Sequence, residues 1–290
     1  MKYRVRHTTR YAYGEPVTLC HNEVHLRPRT APRQTCRNTQ LEIQPLPDSS
    51  TNRTDYFGNF VDFFTVQERH TQLEVSCMSE VTVDAVEPPM ANLCPAWEDV
   101  AALFRSPEAA RHLEAAQFTL ESMYVRGNPT LEKYASESFT PHRPLLEGTL
   151  DLMRRINKDF VYDSRATTLL TPVMEVFEKR RGVCQDFAHL MLACLRSLGL
   201  PGRYVSGYLQ TTAPAGKERL VGADASHAWL SVYSPGIGWV DVDPTNALVP
   251  SDQHIVVAWG RDYADVSPIK GVILGGGQHT LDVSVDVEPI

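Results

Sequence analysis

The segment from Gly182 to Pro201 constrains the fold more than any other part of the sequence. It begins after a glycine and ends in Gly199-Leu200-Pro201, a pattern that stops helices. Apolar residues cover most of its sides: Val183, Phe187, Ala188, Leu190, Met191, Leu192, Cys194, Leu195 and Leu198. A helix with so broad an apolar face must be covered by other elements. The segment therefore predicts a central, buried helix that begins near Cys184.

The sequence on either side of this helix predicts an α+β protein of two domains. Residues 1–87 contain short runs in which apolar and polar residues alternate, separated by prolines, so we expect an N-terminal antiparallel β-sandwich. Glu87-Pro88-Pro89 breaks this pattern and is predicted to be a linker. Helical spacing dominates from about 96 to 197, and strand patterns return after Pro201. We assign 96–290 to a second domain, in which the central helix packs on an antiparallel sheet.

Composition limits the partners and the location. With 28 Lys and Arg against 35 Asp and Glu, the net charge is −7. An excess of negative charge argues against a nucleic-acid partner and against an anionic membrane surface. No apolar run approaches the length of a membrane span, and the N-terminus lacks the pattern of a signal peptide. We therefore predict a cytoplasmic protein, and no motif requires a cofactor.

Cys184 differs from the other five cysteines by its position. The six are widely spaced without a C-x-x-C pair, so neither a zinc ribbon nor a disulfide framework is indicated. Most are predicted to be small buried hydrophobic residues, as Cys194 is in the middle of the helix. Cys184 lies in the first helical turn, where unpaired N–H groups and the helix dipole favour a thiolate. The same N–H groups could hold the oxyanion of a tetrahedral intermediate.

A predicted hairpin relates His227 to Asp243. The turn Ser234-Pro235-Gly236 separates two strand patterns. If Tyr233 lies opposite Ile237, then His227 lies directly opposite Asp243, at a distance that side chains can bridge. A bulge at the turn glycines would spoil this register.

Strand alternation places a second carboxylate, Asp241, on the same face as His227, Trp229 and Asp243. Either carboxylate could then fix the tautomer of the histidine ring. Each residue alone also fits a purely structural role, as a hydrogen-bonding histidine, a strand-ending aspartate or a packed cysteine. Their joint occurrence favours thiol-based acyl transfer.

Two further polar residues lie on the central helix. The helix dipole alone explains an aspartate in the first turn of a helix, so a structural role for Asp186 is favoured over a catalytic one. His189 lies about 140° round the helix from Cys184, which makes it a poor direct base.

At these positions the sequence resembles the bacterial members of the transglutaminase-like superfamily, which are papain-like thiol enzymes. The resemblance covers most of the chain and rests on these motifs: Tyr3-Arg4-Val5-Arg6-His7, His25-Leu26-Arg27-Pro28, Arg181-Gly182-Val183-Cys184-Gln185-Asp186, Ser226-His227-Ala228-Trp229, Gly238-Trp239 to Asn246, and Gly260-Arg261-Asp262-Tyr263. It implies a papain/transglutaminase-like core with Cys184 as nucleophile and His227 as base and then acid. It also implies Asp243, rather than Asp241, as the orienting carboxylate.

The preferred hypothesis is cysteine-dependent hydrolysis of peptide or amide bonds through a thioester, with a peptide or protein as substrate. The alternatives are a transglutaminase, which uses the same triad with an amine as acceptor, and a non-catalytic binding module on the same fold. A metal site at Cys184 and His227 ranks last because clustered ligands are lacking. The N–H of Cys184 is the expected oxyanion donor. Further candidates for oxyanion or substrate contacts are Tyr162, Gln185 and Trp229.

Overall fold

The computed structural model describes residues 1–85, 87–211 and 225–290. The strands are β1 (Lys2–Val24), β2 (Gln34–Gln44), β3 (Ser49–Thr54), β4 (Phe60–Val66), β5 (His70–Val83), β6 (Val161–Tyr162), β7 (Arg181–Gly182), β8 (Gly202–Leu209), β9 (Ala225–Ser234), β10 (Gly238–Val242), β11 (His254–Gly260), β12 (Ile269–Gly275) and β13 (His279–Pro289). The α-helices are α1 (Trp97–Arg105), α2 (Leu113–Ala116), α3 (Pro129–Ser136), α4 (Leu145–Asp159), α5 (Val173–Lys179), α6 (Cys184–Ser197) and α7 (Tyr263–Val266). No described helix is both long and apolar enough to cross a membrane.

The first antiparallel sheet is organised around the long strand β1. Residues 3–12 of β1 pair with both β5 and β13, whereas residues 20–24 pair with both β4 and β12. Register shifts interrupt the pairing with β5 between Ala12 and Val17. Buried residues from the second half of β1 and from its partners form one apolar cluster, which includes Tyr13, Val17, Val24, Phe64 and Leu73. The expected N-terminal antiparallel β structure is therefore one sheet packed around its own small core.

The last two strands belong to this first sheet. β12 pairs with residues 17–24 of β1, and β13 pairs with residues 3–13. The sequence predicts that all of 96–290 belongs to the second domain. Alternation identifies a strand, but it does not identify the strand with which it pairs. Strand pairing assigns 269–275 and 279–289 to the N-terminal sheet instead. The other limits of the two predicted domains stay predictions.

The second sheet is antiparallel, with strand order β10-β9-β8-β11. Helix α6 contacts β8 and β9 on one side and α3, α4 and α5 elsewhere. Residues 186–196 of α6 are all buried, as its broad apolar face predicts. This arrangement confirms a central helix packed on an antiparallel sheet.

Two side-chain amides join the sheets at β11, an edge strand of the second sheet. Gln34 donates to the carbonyl of Val256 at 2.7 Å and accepts from its N–H at 2.8 Å. Asn59 does the same for Trp259, at 2.8 and 3.0 Å. Each amide thus mimics a peptide group of a neighbouring strand. Because unpaired edge groups are costly when buried, these contacts fix the N-terminal sheet against the core.

Candidate active site

The first turn of α6 positions Cys184. The carboxylate of Asp186 accepts a hydrogen bond from the N–H of Val183 at 2.8 Å and one from the Thr167 hydroxyl at 2.6 Å. Burial raises the pKa of Asp186, against the opposing effect of these two bonds. A Cβ at Gly182 would lie 2.7 Å from a carboxylate oxygen of Asp186, so the glycine is needed for this cap. Asp186 therefore stabilises the start of the helix, which is the structural role that its position in the first turn predicts.

His227 lies in β9 with its ring between the thiol and a carboxylate. Its Nε2 donates to Oδ2 of Asp243 at 2.7 Å. Burial lowers the pKa of His227, but hydrogen bonds to Asp243 and Cys184 outweigh burial and raise the pKa to about 10. Because Nε2 is committed to Asp243, Nδ1 is the nitrogen that remains for the Cys184 thiol. The ring is therefore held in the protonated form that stabilises a thiolate.

Asp243 is completely buried and accepts hydrogen bonds on both oxygens. Oδ2 accepts from His227, from the Asn246 side chain at 2.7 Å and from His254 Nε2 at 3.2 Å. Oδ1 accepts from the backbone N–H groups of Thr245 at 2.9 Å and Asn246 at 3.2 Å. Burial raises the pKa of Asp243, but these bonds, led by the one from His227, outweigh it and hold the pKa well below its usual range. Asp243 is therefore a fixed negative charge beside the imidazole.

The predicted hairpin register is wrong by two residues. Ser234 pairs with Gly238, and Asp241 pairs with Ser231, so His227 is not directly opposite Asp243. The loop keeps its predicted length of three residues but comprises Pro235, Gly236 and Ile237, one position later than expected, and Gly236 and Gly238 adopt positive φ at 81° and 94°. A shift of two residues keeps every side chain on its predicted face. The carboxylate, just past the end of β10, reaches the ring diagonally.

Asp241, the other carboxylate on this face, does not contact His227. It accepts a hydrogen bond from the Ser231 hydroxyl and lies 3.3 Å from Arg33. The structure therefore brings Cys184, His227 and Asp243 together and assigns Asp241 to a contact with the N-terminal domain.

His254 is a site residue that sequence reasoning missed. It is buried at the start of β11, and its ring lies edge-on to Trp229, with centroids 5.2 Å apart. Its Nδ1 has no partner among the described residues. Nothing in the sequence pattern links His254 to Asp243, because β11 meets the site only through the order of strands in the second sheet.

His227, Asp243 and His254 also have the residue types of a metal site, with ligand atoms within 4.8 Å of one another. We interpret the group as hydrogen-bonded, because the Asn246 amide donates to the same Oδ2 at 2.7 Å. An amide N–H is a donor and not a metal ligand.

The other predicted site residues separate into two groups. Tyr162 and Gln185 line a cavity beside Cys184. Trp229 is fully buried, is not among the residues that line this cavity, and stacks on the His227 ring with centroids 6.0 Å apart. His189 accepts a hydrogen bond from the N–H of Tyr263 at 3.1 Å, and burial lowers its pKa to about 4. Trp229 and His189 therefore support the fold around the site.

The cavity beside Cys184 has a volume of about 420 Å³. Its walls come from α6, from β8 and β9 of the second sheet and, unexpectedly, from β1, β12 and β13 of the first sheet. The lining residues of the N-terminal sheet are His7, Thr9, Tyr11, Ile269, Leu281 and Val283. The sequence left the role of the N-terminal domain open, and the structure makes it one wall of the site.

Comparisons with known proteins agree with this architecture. A model of the bacterial transglutaminase-like N-terminal region matches residues 3–82, and one of the transglutaminase-like superfamily matches residues 132–244. An uncharacterized protein of Mycobacterium tuberculosis is 43% identical over 297 residues, which cover 99% of this chain and 93% of that protein. A protein-glutamine gamma-glutamyltransferase of Pseudomonas aeruginosa is 32% identical over 130 residues, which cover 43% of this chain and 20% of that protein.

A solved structure has the same fold. It belongs to a proposed cysteine protease from Cytophaga hutchinsonii and superposes with a TM-score of 0.74, covering 99% of this chain and 90% of that one at 20% identity.

Proposed function

The chain belongs to the transglutaminase-like superfamily, and from this premise we propose that it hydrolyses peptide or amide bonds through a thioester on Cys184. The observation that supports this proposal is the line of hydrogen bonds from Cys184 through His227 to a buried Asp243. A nucleophile, a base and an orienting carboxylate in hydrogen-bond contact are the arrangement that covalent acyl transfer requires.

The reaction begins from the thiolate–imidazolium pair. A pKa near 10 keeps the proton on His227 near pH 7, and the positive charge of the ring beside Cys184 favours a thiolate. The sulfur of Cys184 attacks the substrate carbonyl carbon, and a C–S bond forms while the carbonyl oxygen becomes an oxyanion.

The start of α6 supports the oxyanion. The N–H groups of the first turn have no partner within the helix, and they lie at the positive end of its dipole. Tyr162 lines the same cavity, and its pKa is raised by burial and then by the charges of Cys184 and Asp186. A phenol that keeps its proton is a donor, so Tyr162 is the second candidate after the Cys184 N–H.

Collapse of the intermediate breaks the C–N bond. His227 gives its Nδ1 proton to the departing amine, which leaves a thioester on Cys184 and a neutral ring. Water then attacks the thioester, and His227 takes a proton from that water. The C–S bond breaks, the carboxylic product departs, and the thiolate–imidazolium pair is restored.

Mass spectrometry of a peptide mixture incubated with the protein and a labelled primary amine tests this proposal. We expect cleaved products that carry a free carboxylate, and their complete loss in Cys184→Ala. Cys36→Ala is the matched control, because Cys36 is also partly exposed but lies on β2, away from the cavity. Equal cleavage by Cys184→Ala and the unmodified protein would refute a thioester on Cys184.

A transglutaminase is the second candidate, supported by the similarity to the gamma-glutamyltransferase of Pseudomonas aeruginosa. It uses the same thioester and differs only in releasing the acyl group to an amine. Incorporation of the labelled amine in excess of cleavage would favour it over the hydrolase. A binding module without catalysis predicts neither product and no selective alkylation of Cys184.

A further inference from the structure

Along one face of β1, the residues before His7 are buried in the core, and the residues from His7 to Tyr11 line the cavity. Alternation places His7, Thr9 and Tyr11 on the same face as Tyr3 and Val5, which are buried in the main core. In the pairing with β13, Val283 lies opposite Thr9 and Leu281 lies opposite Tyr11. These two cross-strand pairs and His7 all line the cavity that contains Cys184. Two strands of the N-terminal sheet therefore form a continuous surface beside the reactive thiol.

His7 is the polar centre of this surface. Only 2% of it is exposed, and its Nε2 is hydrogen-bonded to the Thr9 hydroxyl at 3.0 Å. Its Nδ1 has no partner among the described residues. Burial lowers the pKa of His7 to about 4, so the ring is neutral near pH 7.

The rest of the wall is uncharged. Among the described residues that line the cavity, none is Asp, Glu, Lys or Arg. Leu281 and Val283 form its rim and are 55% and 48% exposed, although they lie on the same face of β13 as the buried Val285 and Val287. A charged substrate group placed here would lose hydration without gaining an ion pair.

We propose that β1 and β13 form a subsite for an uncharged, mainly apolar group of the acyl part of the substrate. The apolar group packs on Tyr11, Leu281 and Val283, beside the neutral ring of His7. We assign the subsite to the acyl part because the thioester keeps that part in the cavity while the amine departs. This assignment rests on the proposed function.

Peptide aldehydes test the subsite without requiring turnover, because they add reversibly to a thiolate. Tetrapeptide aldehydes would carry Leu, Lys or Glu at either of the two positions nearest the aldehyde. The measurement is protection of Cys184 from iodoacetamide, read by mass spectrometry of the Cys184 peptide. At one of the two positions we expect the Leu aldehyde to protect at concentrations at least about tenfold lower than the Lys and Glu aldehydes.

Leu281→Asp places a carboxylate on the rim and should shift the preference about tenfold or more towards the Lys aldehyde. Leu274→Asp is the matched control, because Leu274 is also 55% exposed and lies on β12 outside the cavity. It should leave the preference unchanged.

Equal protection by the three aldehydes at both positions, or the same response in both Asp variants, would overturn the subsite whether or not the protein cleaves peptides. Selective protection without any turnover would instead refute the hydrolase and leave the subsite standing. Circular dichroism of the exposed-site variants would confirm that they fold.

Discussion

Replacing Asp243 with Asn removes a buried negative charge and keeps the size of the side chain. The rise in the pKa of His227 from 6.5 to about 10 corresponds to about 5 kcal/mol of preference for the protonated ring, to which Asp243 and Cys184 both contribute. Burial lowers the pKa of His227, and without the charge of Asp243 less opposes this effect. We therefore expect the pKa of His227 to fall to about its ordinary value or lower. The proton then returns to the sulfur, since an ordinary thiol has a pKa of about 8.5.

The measurement is the rate of Cys184 alkylation by iodoacetamide as a function of pH. At pH 6.5 a thiol with a pKa of about 8.5 is roughly 1% ionised, so Asp243→Asn should react about 100-fold more slowly than the unmodified protein. The difference should shrink above about pH 8.5. Asp241→Asn is the control, because Asp241 lies on the same face and contacts Ser231 and Arg33 instead. Equal rates for Asp243→Asn and the unmodified protein at pH 6.5 would refute the ion-pair reasoning.

Three further predictions concern positioning and stability. His254→Phe removes the 3.2 Å bond to Asp243, so alkylation at pH 6.5 should slow about 3- to 10-fold while the preference among the aldehydes stays the same; an unchanged rate would leave His254 without a positioning role. Gly182→Ala would bring a Cβ to 2.7 Å from Asp186, and urea titration should show a loss of about 1–3 kcal/mol in unfolding free energy; a loss below about 0.5 kcal/mol would contradict the close approach. Because the pKa of His227 is raised in the folded protein, its contribution to stability is complete below about pH 6.5 and is lost as the pH rises through about 10. The unfolding free energy should therefore decline over this range, and His227→Gln should flatten the decline. An equally steep decline in the variant would argue against this contribution.

Much of the site could be predicted because its signals are local. The apolar pattern identifies α6, and the glycine before it identifies the helix start where Cys184 lies. The faces of His227 and Asp243 follow from alternation, which survives a register error of two residues. The position of the hairpin loop could not be predicted, because moving it by one residue depends on the positive φ that Gly236 and Gly238 adopt in the turn.

Contacts between distant strands left no such signal. The sequence of β13 predicts a strand but is equally consistent with either domain. Only the pairing with β1 shows that β13 forms a wall of the cavity. The sequence places His254 at the start of an apolar strand and gives no further signal. Its hydrogen bond to Asp243 depends on the order of the strands in the second sheet. Periodicity reports the face of a strand and not its neighbours, so both features required the structure.

The pairing of β1 with β13 also sets an order of events during synthesis. Tyr3 pairs with Pro289, and the two strands lie at opposite ends of the described sequence. Translation therefore completes α6, His227 and Asp243 before β13 exists. Until β13 leaves the ribosome, the thiol can be formed and oriented, but the surface that faces it from Leu281 and Val283 is missing. A chain that stops before β13 would carry Cys184 without this wall, and the selectivity that we propose for the wall would be absent until β13 pairs with β1.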